Sequence, residues 1–243
     1  MNNRFMKVCL LLAQLLLLGG LGVTFVWKIV QDPYLDLTFL FGSIRILLLI
    51  LFVCIYYKTH LFSHNPGNPF IFIVTLFLTI SEISLIPDAL STFGYYVPRT
   101  FVMRLWFASD FAISLLIIGY CLYFRLSDHN NTNRFMVIAL VGAVLIAKII
   151  PANQGLTYFR QSPYLYWFSN ILVVITLISL ILVTIEEHSS DEVIGHLALF
   201  FLELGRHFLS CFNGDISFYV CNGLYLVGML FFLIMVIRKT FRL

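Results

Sequence analysis

The sequence predicts an all-α integral membrane protein, an eight-helix transmembrane bundle. Three observations lead there. Of 243 residues, 60% are hydrophobic and 11% charged, with a mean hydropathy of +0.96; a soluble domain runs at about 45–50% apolar and about 25% charged. The apolar residues form continuous runs close to the ~20 residues that cross hydrocarbon, without the alternation of a membrane β-barrel. The connections are short and carry Pro, Gly, Asn and Asp. A soluble globule, a disordered chain and a coiled coil are all excluded. Residues 1–243 are expected to form a single polytopic domain.

The first span, 8–30, follows Arg4 and Lys7. It starts as a signal peptide would, but the apolar run continues past Gly19, Gly20 and Gly22 with no A-x-A cleavage site, so it reads as a retained anchor. The second, 37–57, is parted from the third, 70–93, by Pro66-Gly67-Asn68-Pro69. Pro87 removes a backbone donor within the third and predicts a bend there. The fourth, 100–124, is long; the fifth, 135–150, is short and stops at Pro151. The sixth is 164–185. The seventh, 193–212, follows the acidic run 186–192, where Ser189 and Glu192 have capping-box spacing. It carries His196, Glu203, Arg206 and His207, which makes its insertion costly. The eighth, 216–237, leads into a basic tail.

Charge placement chooses between eight spans and seven. With eight, Arg4, Lys7, Lys58, Arg125, Arg134, Arg238, Lys239 and Arg242 fall on the side of both termini, against Lys28, Arg99 and Arg160 opposite. The positive-inside rule makes the first side cytoplasmic. The expected setting is a plasma (inner) membrane with both termini in the cytoplasm.

The even-numbered spans share an opening pattern of aromatic residues, a small residue and a polar one. It reads Phe41-Gly42-Ser43-Ile44-Arg45, Trp106-Phe107-Ala108-Ser109-Asp110, Tyr166-Trp167-Phe168-Ser169-Asn170 and Phe218-Tyr219-Val220-Cys221-Asn222. Four tandem helical hairpins are one reading; interfacial aromatics common to helices of one direction are the other.

Polar groups inside spans usually face a bundle interior or a cavity. They are Arg45, Glu82, Asp88, Arg104, Asp110, Lys148, Asn170, Glu203, Arg206, His207 and Asn222, with His196. All but His196 and the deeper Glu82 fall toward the outer side. In the seventh span His196, Glu203 and His207 point within about 40° of one another at 100° per residue. An outward-facing polar pocket is expected from these residues. The alternative is an ion-pair network that fixes helix register without a ligand.

Catalytic signatures such as H-E-x-x-H, G-x-S-x-G and the phosphate-binding G-x-x-x-x-G-K-[ST] are absent. His196 and His207 lie about 16 Å apart along one helix and cannot share an ion. Lys148 is not in the last span, where a retinal-binding lysine would be sought. No metal and no cofactor is expected. Cys211 and Cys221 flank the last outer turn, where a hairpin would allow a disulfide, while apolar packing is the usual role of a buried Cys. The sparse basic residues make no nucleic-acid surface.

Beyond the lipid bilayer, the expected partners are a small molecule, peptide or lipid headgroup from the outer side, and a cytoplasmic signalling partner. The function expected first is a membrane sensor or regulatory module. A small-solute transporter is the alternative, and an enzyme acting on lipid or isoprenoid headgroups the third.

Overall fold

The computed structural model describes residues 3–31, 37–62, 69–83, 90–91, 93–96, 98–126, 129–149, 163–211 and 215–241. Eight long helices account for most of them: α1 Asn3–Gln31, α2 Leu37–Phe62, α3 Pro69–Glu82, α4 Arg99–Leu126, α5 His129–Ile149, α6 Pro163–Glu186, α7 Ser190–Cys211 and α8 Asp215–Phe241. Helices satisfy their own backbone hydrogen bonds, which is what hydrocarbon demands. Five of them, α1, α2, α4, α6 and α8, are long and apolar enough to cross a membrane. Among the residues whose side chains are described, α3 and α5 carry shorter apolar segments, Ile73–Glu82 and Val137–Ile149. The charged residues of α7 keep it out of that group, yet its 22 residues span about 33 Å at 1.5 Å per residue.

The helix ends follow local chemistry. Proline opens α3 and α6, where its missing N–H would have had no partner. Asp191 and Glu192 sit in the first turn of α7, and Lys28 and Lys148 in the last turns of α1 and α5, each complementing the helix dipole. Glu187 Oε1 accepts from the N–H groups of His188 and Ser189 just before α7. Of the helix expected over 70–93, α3 ends at Glu82, and 84–89, with the bend expected at Pro87, lies outside the described residues. Gly94, at φ 74°, closes a turn in which the Tyr95 N–H donates to the Leu90 carbonyl.

Side-chain registers fix the directions. Phe41 meets Phe218, Arg45 meets Asn222 and Phe52 meets Phe232, so α2 and α8 run parallel. Asp110 meets Arg206 and Tyr120 meets His196, so α4 and α7 run antiparallel. Since α1 is antiparallel to α2, the start of α1 and the end of α8 lie at one end of the bundle. Gln31, Leu37, Glu82, Arg99, Ile149, Pro163, Cys211 and Asp215, at the opposite helix ends, lie at the other.

Helices α2, α3, α4, α6, α7 and α8 form a closed ring, each packed on the next, with α4 also touching α7 across the middle. Outside the ring, α1 lies against α2 and α3, and α5 lies against α4. Successive helices pair as expected in α1–α2, α3–α4 and α7–α8, whereas α6 packs on α4 and α7. Two apolar cores result. The larger gathers residues such as Phe25, Leu49, Leu78, Ile117, Leu199 and Phe232; the smaller joins Phe107 and Phe111 to Ala143, Ala147 and Leu172. Rows of apolar side chains point away from both, among them Leu16, Val23 and Val30 on α1 and Ile138, Val141 and Leu145 on α5. Such exposed rows suit lipid contact.

The closest approach in the bundle is α7 on α8. A Cβ at Gly205 would lie 2.5 Å from the Tyr225 backbone nitrogen and 2.7 Å from the Cys221 carbonyl oxygen. One at Gly228 would lie 2.5 Å from the Leu202 backbone nitrogen. Glycine lets the two backbones touch, as in other small-residue helix contacts.

Candidate functional site

Every helix of the ring sends at least one polar side chain inward at a similar level. Asn170 lies seven residues into α6, Asn222 seven into α8, Arg45 eight into α2 and Asp110 eleven into α4. That is roughly 10–17 Å from the bundle end at which α2, α4, α6 and α8 start. Glu82 ends α3, and Glu203, Arg206 and His207 lie in the second half of α7. The polar residues of the shared opening pattern, Arg45, Asp110, Asn170 and Asn222, all reach this belt. Its charged members are nearly inaccessible, from 1% exposure at Glu203 to 6% at Arg45.

The belt has two halves. In the first, between α2, α3 and α8, Arg45 donates from Nε to Glu82 Oε1 at 2.7 Å and from Nη2 to Glu82 Oε2 at 2.9 Å. Its Nη1 donates to Asn222 Oδ1 at 2.5 Å, and Asn222 Nδ2 donates on to the Phe218 carbonyl at 3.0 Å. The Arg45 guanidinium lies 5.3 Å over the Tyr225 ring. A carboxylate is disfavoured at a helix C-terminus; bidentate pairing with Arg45 offsets that for Glu82.

In the second half, between α4 and α7, a single nitrogen of Arg206 does most of the contacting. Nη2 lies 2.8 Å from Asp110 Oδ1 and 3.5 Å from Glu203 Oε2 as ion pairs, and it donates to the Asp110 carbonyl at 3.1 Å. Arg206 Nε and Nη1 are buried with no hydrogen-bond partner among the described residues. Glu203 Oε1 is hydrogen-bonded to Ser114 Oγ. Beyond them, His207 Nε2 lies 3.2 Å from Asn170 Oδ1 and Nδ1 lies 3.4 Å from Ser169 Oγ, tying α7 to α6.

The α7 stripe read from spacing faces α4 and α6. His196 lies about two turns deeper than Glu203, with Nε2 3.5 Å from the Tyr120 hydroxyl. Two of the expected pocket residues stay out of the belt: Arg104 and Lys148 are exposed on the outside of the bundle. Six residues separate Arg104 from Asp110, which turns them about 120° apart on α4. On α5 the inward row is Ala139, Ala143 and Ala147, and Lys148 is one residue off it. Asp88 lies outside the described residues. Cys221 is a buried thiol rather than half of a disulfide.

Ser114, Ser169 and Tyr225 were not legible as site residues, though a signal existed for each. Ser114 is four residues from Asp110, Ser169 precedes Asn170 in the shared pattern, and Tyr225 is three residues from Asn222. Each follows or adjoins a polar residue already pointing inward.

Among the described residues no three His, Cys, Asp or Glu side chains converge as a metal site would require. The chain matches no family model, no curated protein and no solved structure in comparisons with known proteins, so its chemistry is argued from this geometry alone.

Proposed function

We propose that the chain is a membrane sensor or regulatory module whose ligand site is the α4–α7 half of the belt. The observation that carries this reading is the incomplete coordination of Arg206. A buried guanidinium with two nitrogens unpartnered among the described residues is costly, and the Tyr225 side chain lies beside it on the neighbouring helix. A small molecule, a peptide end or a lipid headgroup with an acceptor oxygen would meet those donors. It would enter from the nearer end, at which α2, α4, α6 and α8 start and which we take as the outer side. Basic residues such as Arg4, Lys7, Arg238 and Lys239 gather at the opposite end, and we assign that end and both termini to the cytoplasmic face of the plasma (inner) membrane. Because α7 is in backbone contact with α8 and bonded to α4 and α6, a shift of Arg206 moves four helices together. A cytoplasmic partner would read the movement.

The test uses purified protein in lipid nanodiscs and a panel of small polar solutes, short peptides and soluble headgroups. A solute that raises the unfolding temperature of the wild type, and not that of Arg206→Lys, supports the reading, provided proteoliposomes neither transport nor transform it. Flux would instead make the chain a transporter, and turnover an enzyme. If no solute binds, and Asp110→Ala, Glu203→Ala and Arg206→Ala alter only stability, the belt is a packing network and the proposal fails.

A further inference from the structure

The belt does not balance in charge. Its described ionic side chains are Arg45, Glu82, Asp110, Glu203 and Arg206, two cations against three carboxylates. Glu82 is taken by both edges of Arg45. Arg206 is left with two carboxylates and sits closer to Asp110, at 2.8 Å, than to Glu203, at 3.5 Å. An extra buried carboxylate with no counter-charge is strongly unfavourable.

Among the described residues the neighbours supply no further cation. From α4, Glu203 meets Asp110 and Ser114. On α7 itself the charged or titratable groups within about one turn of Glu203 are Arg206 and His207, with His196 about two turns away. From α8, Tyr225 lies near Arg206, and α6 offers Ser169 and Asn170, which engage His207. With hydrogen on Nε2, a neutral His207 donates to Asn170 Oδ1 and accepts from the Ser169 hydroxyl, so both contacts are met without an imidazolium.

Donor counting points the same way. Ser114 Oγ lies within reach of Glu203 Oε1 and, at 3.3 Å, of the Asp110 carbonyl. A serine hydroxyl has one hydrogen. Beside an ionised Glu203 it would face two acceptors and serve one. If Glu203 carries a hydrogen, it donates to Ser114 Oγ, and Ser114 donates on to the Asp110 carbonyl, so every contact is satisfied.

We infer that Glu203 is a proton-binding site: in the closed bundle its carboxyl holds one proton, hydrogen-bonded to Ser114, and releases it to water as a carboxylate when the α4–α7 contact opens. This inference stands apart from the ligand reading and survives if that reading fails.

Infrared difference spectroscopy of the full chain in nanodiscs tests it. At neutral pH the wild type is expected to show a carboxylic acid carbonyl band that shifts in D2O. Glu203→Gln, which keeps a donor for Ser114, should abolish it. Ser114→Ala should displace it, because the acceptor is gone. Asp110→Asn should also abolish it, since Glu203 then becomes the sole counter-ion of Arg206. His207→Gln should leave it in place. A wild type without the band overturns the inference, as does a band that survives Glu203→Gln. If Glu203→Gln does not fold, Ser114→Ala decides: a displaced band supports the assignment and an unmoved one overturns it.

Discussion

Arg45 and Arg206 are both buried guanidiniums in the same belt, and their surroundings differ. Arg45 has one carboxylate, one amide and one aromatic face, and all three of its nitrogens are engaged. Arg206 has two carboxylates within reach, meets them through one nitrogen and has two nitrogens without a partner among the described residues. The first arrangement is complete, and any movement of α2, α3 or α8 breaks bonds. The second has spare donors and a surplus carboxylate, so it has something to gain from a proton or a ligand. A buried charge cluster is therefore not one kind of thing: the Arg45 half ties helices together, and the Arg206 half is where a state can change.

Breaking the Arg45 half should have the largest effect. Glu82→Ala leaves a buried guanidinium uncompensated and is expected to destabilise by about 3–5 kcal/mol, read from thermal unfolding in nanodiscs. Removing both charges in Arg45→Met with Glu82→Met should recover much of that loss, because the pair's own desolvation cost disappears with it. No recovery would mean that Arg45 serves Asn222 and Tyr225 more than Glu82.

The seam between the halves comes next. Gly205 lies against the Tyr225 backbone, and Tyr225 lies under Arg45. Gly205→Ala forces α7 and α8 apart and should cost about 1–3 kcal/mol by overpacking. It should also weaken both halves, visible as steeper losses when combined with Glu82→Gln. The smallest effect is expected below the belt. Tyr120→Phe removes one contact to His196, and interhelical hydrogen bonds in membranes average about 0.6 kcal/mol.

Much of the fold was legible. Continuous apolar runs located all eight helices, and the bounds of α2, α6 and α8 fall within a few residues of expectation at most ends. The third span ended early at Glu82, since hydropathy alone does not see where a helix stops. The stripe on α7 was legible because helical periodicity places His196, Glu203 and His207 on one face. Which carboxylate serves which arginine was not: Arg45 and Glu82 are 37 positions apart, and only the ring order of helices brings them together. Arg104 and Lys148 were grouped with the site by depth, and their direction around α4 and α5 removes them from it. The alanine row on α5 carried that information, since small residues mark the face another helix approaches.

The central claim is that the two halves differ in kind, and paired neutralisation tests it most directly. Glu82→Gln and Glu203→Gln are compared with the wild type by unfolding in the same nanodiscs at neutral pH. Glu82→Gln strips Arg45 of its counter-ion and should lower stability by several kcal/mol. Glu203→Gln replaces a protonated acid by a neutral amide of the same shape and should change it by less than about 1 kcal/mol. Equal losses, or a larger loss at Glu203, would contradict the account.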